Sequence, residues 1–251
     1  MKSPRTYQTE AVILKRINLG EADRILILYT SNHGKVKAIA KGARRPKSKL
    51  GGHVELLTHS TLLLAKGKSL DIITQAQTIN SFFALRDNLK RMSYGLYVSE
   101  LVDYFTEERI ENRELFNLLS DTLQRLTECD NPAIVLRYFE LRLLNLSGYR
   151  PQLHKCTMCN KALKPIPNYF SSYQGGALCP DCAYQEPVSL NLSLNALKVL
   201  RVWQTCDFPT ASRINVNGEL ATEIEQILRD HIKYILDRQV KSTAWLDRLN
   251  R

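Results

Sequence analysis

Four of the six cysteines are spaced for metal chemistry. Cys156-Thr157-Met158-Cys159 is followed, after 19 residues, by Cys179-Pro180-Asp181-Cys182. Two residues between cysteines let one tight turn aim both sulfurs at a common point, and two such turns complete the tetrahedron that Zn²⁺ prefers. The gap suits zinc ribbons and related sites. Four thiolates fill the coordination sphere and leave no position for an activated water, so the expected role is structural. Asn160 follows the first pair where a left-handed residue is often needed, and Gly175-Gly176 lets the chain bend into the second. His154 is read as a neighbour rather than a ligand, and Cys129 and Cys206 as ordinary thiols. A redox reading of the CxxC pairs would require a βαβ context that the pattern lacks. A disulfide framework does not suit a reducing compartment.

A second grouping is cationic. The run from Lys35 to Lys49 carries Lys35, Lys37, Lys41, Arg44, Arg45, Lys47 and Lys49, and Arg16 and Arg24 extend it. Its first half reads as a strand with Lys35, Lys37 and Lys41 on the polar face. Its second half reads as a loop containing Gly42 and Pro46. Cations on such a loop bind phosphate without reading the base attached to it. Single-strand binders also offer rings for base stacking. Tyr7, Tyr29 and His33 are the candidates in this part, although each would serve equally as packing.

The elements that must hold these groups follow from periodicity. Residues 7–16, 22–30, 34–42, 59–67 and 70–79 are short runs rich in Val, Ile, Leu and Thr, separated by turn-forming residues. Asn32-His33-Gly34 reads as a hairpin turn in which Gly34 takes positive φ. Five strands without an intervening helix suit a small closed barrel, either an oligonucleotide-binding (OB) fold or an SH3-like barrel. From Phe82 the period becomes helical. Leu89, Met92, Leu96, Leu101 and Phe105 form one expected stripe, and Leu115, Leu118, Leu119, Leu123 and Leu126 another. Asn112, Asn131, Ser193 and Asn217 are expected caps, with Pro132 at a first helical position and Gly148 at a helix end. The last long helix should bury Leu220, Ile224, Ile227, Leu228, His231 and Ile235. The Cys-, Pro- and Gly-rich residues 150–185 lack such periodicity and need an added constraint to order. The fold class expected is therefore multi-domain α+β. A five-stranded OB barrel occupies 1–80, and an all-helical domain occupies 81–251 with a four-cysteine zinc-binding insertion at 150–185.

Charge divides at the same place. The net charge is +10, of which residues 1–80 hold +9 and residues 81–251 only +1. A positive field so concentrated points to a polyanionic partner, nucleic acid or acidic lipid. No stretch approaches the roughly 20 apolar residues of a membrane helix, and Met1–Arg16 lacks the pattern of a signal peptide. The expectation is a cytoplasmic protein without a membrane partner.

Several segments together resemble the RecO family of recombination proteins. They are Gly20-Glu21-Ala22-Asp23-Arg24-Ile25, Ala40-Lys41-Gly42-Ala43-Arg44-Arg45, the stretch from Ser48 to Gly52, Gly148-Tyr149-Arg150-Pro151 leading to Cys156 and Cys159, and Lys241-Ser242. The resemblance spans essentially the whole chain. It implies an OB domain and a helical domain with a zinc insertion, and a bacterial, nucleoid-associated location. It also implies binding of single- and double-stranded DNA, annealing of complementary strands, help in loading RecA onto strands coated by single-strand-binding protein (SSB), and partnership with RecR. Some members lack the cysteines, and this chain has all four.

No phosphate-cradling GxxxxGK[ST], no GxGxxG and no HExxH is present, so a non-enzymatic protein is expected. Two other readings stay open. One is an adaptor that joins RecR and SSB with only incidental DNA contact. The other is an RNA-binding OB protein with a zinc ribbon, which the long helical part disfavours.

Overall fold

The computed structural model describes residues 5–249. Met1–Pro4, where the N-terminal segment read above begins, and Asn250–Arg251 lie outside it. Five strands, β1 (Thr6–Leu19), β2 (Asp23–Thr30), β3 (Gly34–Ala40), β4 (His59–Ala65) and β5 (Asp71–Asn80), close into a barrel in the order β1-β2-β3-β5-β4. β3 meets β5 in parallel through Ala38↔Asp71 and Ile39↔Ile72, and β1 closes on β4 from Thr6↔Ala65 to Val12↔His59. This closed five-stranded barrel is OB-like and matches the expected strands to within three residues at either end.

Alternation explains the filling. Leu26, Leu28, Val36, Ala38, Ala40, Leu62, Leu64 and Ile73 turn inward and are buried, while their neighbours along each strand face out. Small alanines at the interior positions of β3 fit a narrow barrel. Gly34 has φ +59°, and a Cβ there would lie 1.9 Å from the Ile110 carbonyl oxygen. Its hairpin turn therefore demands glycine for two separate reasons.

Helices α1 (Phe83–Asp87), α2 (Leu89–Phe105) and α3 (Arg113–Glu128) follow the barrel. Asn88 caps α2, and Asn112 caps α3 by accepting the Leu115 N–H at 3.0 Å. α3 buries Leu115, Leu119, Leu123 and Leu126, as its repeat requires. α2 departs from the expected single stripe. It packs against β1, α1, α3 and a later helix, α9 (Thr243–Leu249), so Tyr94, Tyr97, Val98, Leu101 and Val102 are buried while Leu89 is left outside. A helix covered on several sides cannot be read from one face. The Lys241-Ser242 segment joins it: the Glu100 carboxylate accepts the N–H groups of Lys241 and Ser242 and the Ser242 hydroxyl.

The chain divides into two compact units, residues 1–129 with 241–251, and residues 130–240. Residue 81 thus marks a change of secondary structure, whereas packing groups α1–α3 and α9 with the barrel. Both units have their own buried core.

In the second unit, α4 (Pro132–Leu146), α6 (Leu194–Trp203) and α8 (Gly218–Leu236) pack around Phe139, Leu143, Leu200, Trp203, Ile224 and Leu228. Pro132 opens α4, and Ser193 caps α6 through the Ala196 N–H. Gly148, at φ +84°, ends α4, with the Tyr149 N–H bonded back to Leu144. Asn217 precedes α8 without a side-chain capping bond. Between α4 and α6 the chain forms β6 (Asn168–Ser171), β7 (Gly176–Leu178), the short helix α5 (Pro180–Ala183) and β8 (Leu190–Leu192), with sheet order β7-β6-β8. The small helix α7 (Phe208–Ala211) precedes α8. The cysteine segment is thus built on a sheet whose strands, at three or four residues each, are too short to show a period.

Candidate metal centre and nucleic-acid interface

The cysteine pairs meet because each lies on a turn held by its own backbone. The Asn160 N–H bonds to the Cys156 carbonyl at 2.9 Å, with Asn160 at φ +57° as its position requires. Pro180 starts the turn in which the Cys182 and Ala183 N–H groups both bond to the Cys179 carbonyl. Gly176 lets the two turns approach, since a Cβ there would sit 2.3 Å from the Gln152 carbonyl oxygen. The segment is anchored to α6 by Arg201 Nε donating to Leu153 and Gln204 Nε2 donating to Pro151.

The four Sγ atoms of Cys156, Cys159, Cys179 and Cys182 all lie within 4.8 Å of one another, with Cys159 and Cys179 at 3.8 Å. A tetrahedron with metal–sulfur bonds of about 2.3 Å has edges of about 3.8 Å. The quartet therefore fits one ion. His154 is exposed and stands outside the quartet, as do Cys129 and Cys206.

The thiols are electrostatically unequal. Burial would raise Cys156, but the N–H groups of Cys159, Cys179 and Met158 outweigh it and lower the group to about 6. Cys182 is pushed up to about 12, first by its hydrogen bond with Cys179 and then by desolvation. A divalent cation bound here would supply the charge that holds all four as thiolates.

The nine basic residues separate into two groups. Arg16 and Arg24 converge on the Glu55 carboxylate, Arg24 at 2.9 Å. Lys35 donates to the Asp103 carbonyl at 2.6 Å and pairs with its carboxylate at 3.2 Å. Lys37 pairs with Glu108. These four are already matched by acidic groups. Lys41, Arg44, Arg45, Lys47 and Lys49 are exposed on the loop after β3, and none forms an ion pair among the described residues.

That loop is folded rather than slack. Asp23 Oδ1 accepts the Gly42 N–H at 2.7 Å, the Ala22 carbonyl accepts the Arg44 N–H at 2.9 Å, and the Arg44 guanidinium donates to Gly20 at 2.7 Å. The Arg45 N–H bonds to Gly42, the Ser48 N–H to Arg45, and Ser48 Oγ accepts from Leu50 and Gly51. A Cβ on Gly51 would lie 2.8 Å from the Ala43 carbonyl oxygen, so glycine lets the loop close on itself. The segments Gly20–Ile25, Ala40–Arg45 and Ser48–Gly52, separate in sequence, form one continuous hydrogen-bonded structure.

The candidate aromatic platforms lie elsewhere. Tyr29 is fully buried. Tyr7 and His33 stack edge to face at 4.4 Å, beside Asp71 and Arg109. Register places Arg24 opposite Ala40 at one end of the β2–β3 ladder and Thr30 opposite Gly34 at the other. Six residues of strand, about 20 Å, therefore separate the basic loop from the His33 turn. Asp23 and Glu55 are not among the expected site residues. Asp23 lies within a quoted motif, but its partner, a backbone N–H on a distant loop, has no signature in sequence. Glu55 has no local signal at all.

Comparison with known proteins agrees with this architecture. Residues 1–82 match the family described as "Recombination protein O N terminal", and residues 86–244 match "Recombination protein O C terminal". A "DNA repair protein RecO" from Dehalococcoides mccartyi is 40% identical over 251 residues, covering 100% of this chain and 99% of its own. One from Roseiflexus is 41% identical over 97% of this chain and 86% of its own. One from Halalkalibacterium halodurans is 29% identical over 97% of this chain and 95% of its own.

Proposed function

This chain belongs to the RecO family of DNA repair proteins, and from that premise we propose that it acts without enzymatic chemistry as a DNA-binding recombination mediator. It anneals complementary strands and assists RecA loading on SSB-coated single strands, working with RecR in the bacterial cytoplasm. The observation that carries the DNA-binding part is the ordered loop that groups Lys41, Arg44, Arg45, Lys47 and Lys49 at one end of the barrel, with no acidic partner among the described residues. Lys35, Lys37, Arg16 and Arg24 contribute less directly, because each is matched to a carboxylate. Among the described residues, no helix is long and apolar enough to cross a membrane.

The mechanism is electrostatic. Two strands repel through their phosphates, and loop cations that neutralise both lower that repulsion. Contacts confined to phosphates leave base edges free to pair. If about four contacts form on a single strand, log K should fall against log salt with a slope of roughly −3. Zn²⁺ held by Cys156, Cys159, Cys179 and Cys182 is structural and fixes the fold of the segment around β6–β8.

A second reading, the adaptor joining RecR and SSB, draws support from a groove of about 1430 Å³ in the second unit, lined in part by Tyr149, Met158, Tyr173, Val188, Lys233 and Tyr234. Strand annealing by the isolated protein separates the two. Annealing that is lost with Arg44→Glu/Arg45→Glu favours the mediator. DNA binding too weak to anneal favours the adaptor.

A further inference from the structure

β1 is longer than barrel closure requires. It pairs with β4 only from Thr6 to Val12, while its pairing with β2 continues to Leu19. A bulge between Ile13 and Lys15 separates the two parts. The final residues therefore form an overhanging edge strand that, among the described residues, has a strand neighbour on one side, β2. Arg16, Ile17, Asn18 and Leu19 are all exposed.

Side chains alternate along this overhang. On one face Arg16 pairs with Glu55, which also holds Arg24 of β2. On the other face stand Ile17, 52% exposed, and Leu19, 41% exposed. Register carries an apolar row inward from this edge, Ile17↔Ile25 and Ile25↔Ile39, on the outer wall of the barrel. Exposed apolar side chains on a sheet edge favour unwanted association, and folds ordinarily blunt such edges. Here the edge is kept, and it adjoins the basic loop. The turn that ends it bonds through Gly20 and Ala22 to Arg44.

We propose that Ile17 and Leu19 form an aliphatic wedge that presses against the bases of single-stranded DNA whose phosphates rest on the basic loop. The proposal rests on the DNA-binding reading above. A polyanion seated on Arg44 carries its bases within reach of the neighbouring overhang. Base faces are the apolar part of that ligand, and Ile or Leu side chains can part adjacent bases. The aromatic candidates cannot do this at the loop, since Tyr29 is buried and Tyr7 and His33 occupy the far end of the barrel. An aliphatic contact takes any base and leaves its pairing edge free, which suits annealing.

The test compares the full-length protein on two ligands, an oligonucleotide and an abasic oligomer of the same length and charge. The wild type should prefer the base-bearing strand roughly three- to tenfold, the scale expected for burying part of two aliphatic side chains. Ile17→Thr/Leu19→Thr should bind both ligands like the abasic one, with its salt slope unchanged. A fluorescent adenine analogue in the strand should brighten on binding wild type, reporting unstacking, and stay dim with the variant. Equal affinity of wild type for both ligands overturns the wedge, whatever the variant's folding. A concentration-dependent dimer in sedimentation that the variant abolishes also overturns it, in favour of a second copy as occupant. A flat salt slope, by contrast, defeats the basic-loop reading itself.

Discussion

The Asp23 carboxylate accepts the Gly42 N–H at 2.7 Å, so an acidic group holds the loop that presents the positive charge. Its nearest consequence separates structure from simple charge. Asp23→Ala raises the net charge by one, and electrostatics alone would tighten DNA binding. Loss of the tether should instead weaken binding several-fold and cost about 1.5–3 kcal/mol of stability, the range for a hydrogen bond to a charged group. Fluorescence anisotropy with labelled DNA and thermal melts give both quantities. Tighter binding by the variant would show that the loop needs no tether.

The β2–β3 turn should tolerate nothing larger than glycine at its end. Gly34→Ala combines positive φ with a Cβ 1.9 Å from the Ile110 carbonyl oxygen, and roughly 2–4 kcal/mol should be lost. Gly52→Ala is the control, because its Cβ meets nothing within 4 Å. Chemical denaturation should place that variant within about 0.5 kcal/mol of wild type.

Acid should weaken the first unit through its paired carboxylates. Burial raises Asp71, but the Tyr7 hydroxyl, Arg109 and the Gly67 N–H outweigh it and hold the group below its ordinary 3.8. Asp103, facing Lys15 and Lys35, is lowered in the same way. A depressed carboxyl stabilises the fold above its unfolded value and stops doing so as pH falls through the folded one. Melting temperature should therefore hold near neutral pH and fall below about pH 4. In Asp71→Asn it should start lower at pH 7 and fall less steeply in acid. Parallel curves for the two proteins would contradict this origin.

The purified protein should contain one zinc per chain. Cys156→Ala or a strong chelator should expose residues 150–192 to protease. The far-ultraviolet signal should lose little, because β6–β8 are short and the long helices remain. Protein that is metal-free as isolated, with this segment still resistant, would refute the structural role.

How far the sequence led depended on the range of the interaction involved. The four cysteines were legible because local turns set both CxxC spacings, and Asn160 announced its left-handed position by type. The barrel strands were legible because one face of each is buried, which enforces alternation. α2 is only partly legible, because it is covered on several sides and carries no single stripe. The division into compact units at residues 129 and 240 was not legible, since it depends on α9 returning to α2 across more than a hundred residues. Among the cations, type and clustering gave the loop. The pairing of Lys35 with Asp103 and of Arg16 and Arg24 with Glu55 required the folded chain. Charge counted along a sequence overstates the charge left to bind a ligand.

The most direct test is a salt titration of single-strand binding by wild type and Arg44→Glu/Arg45→Glu, with melting temperature as the control for folding. The wild-type log–log slope should lie near −3, and the variant should lose at least about 0.7 of slope for each phosphate contact removed, while melting near wild type. A wild-type slope near zero, or a folded variant that binds as wild type does, would contradict the account.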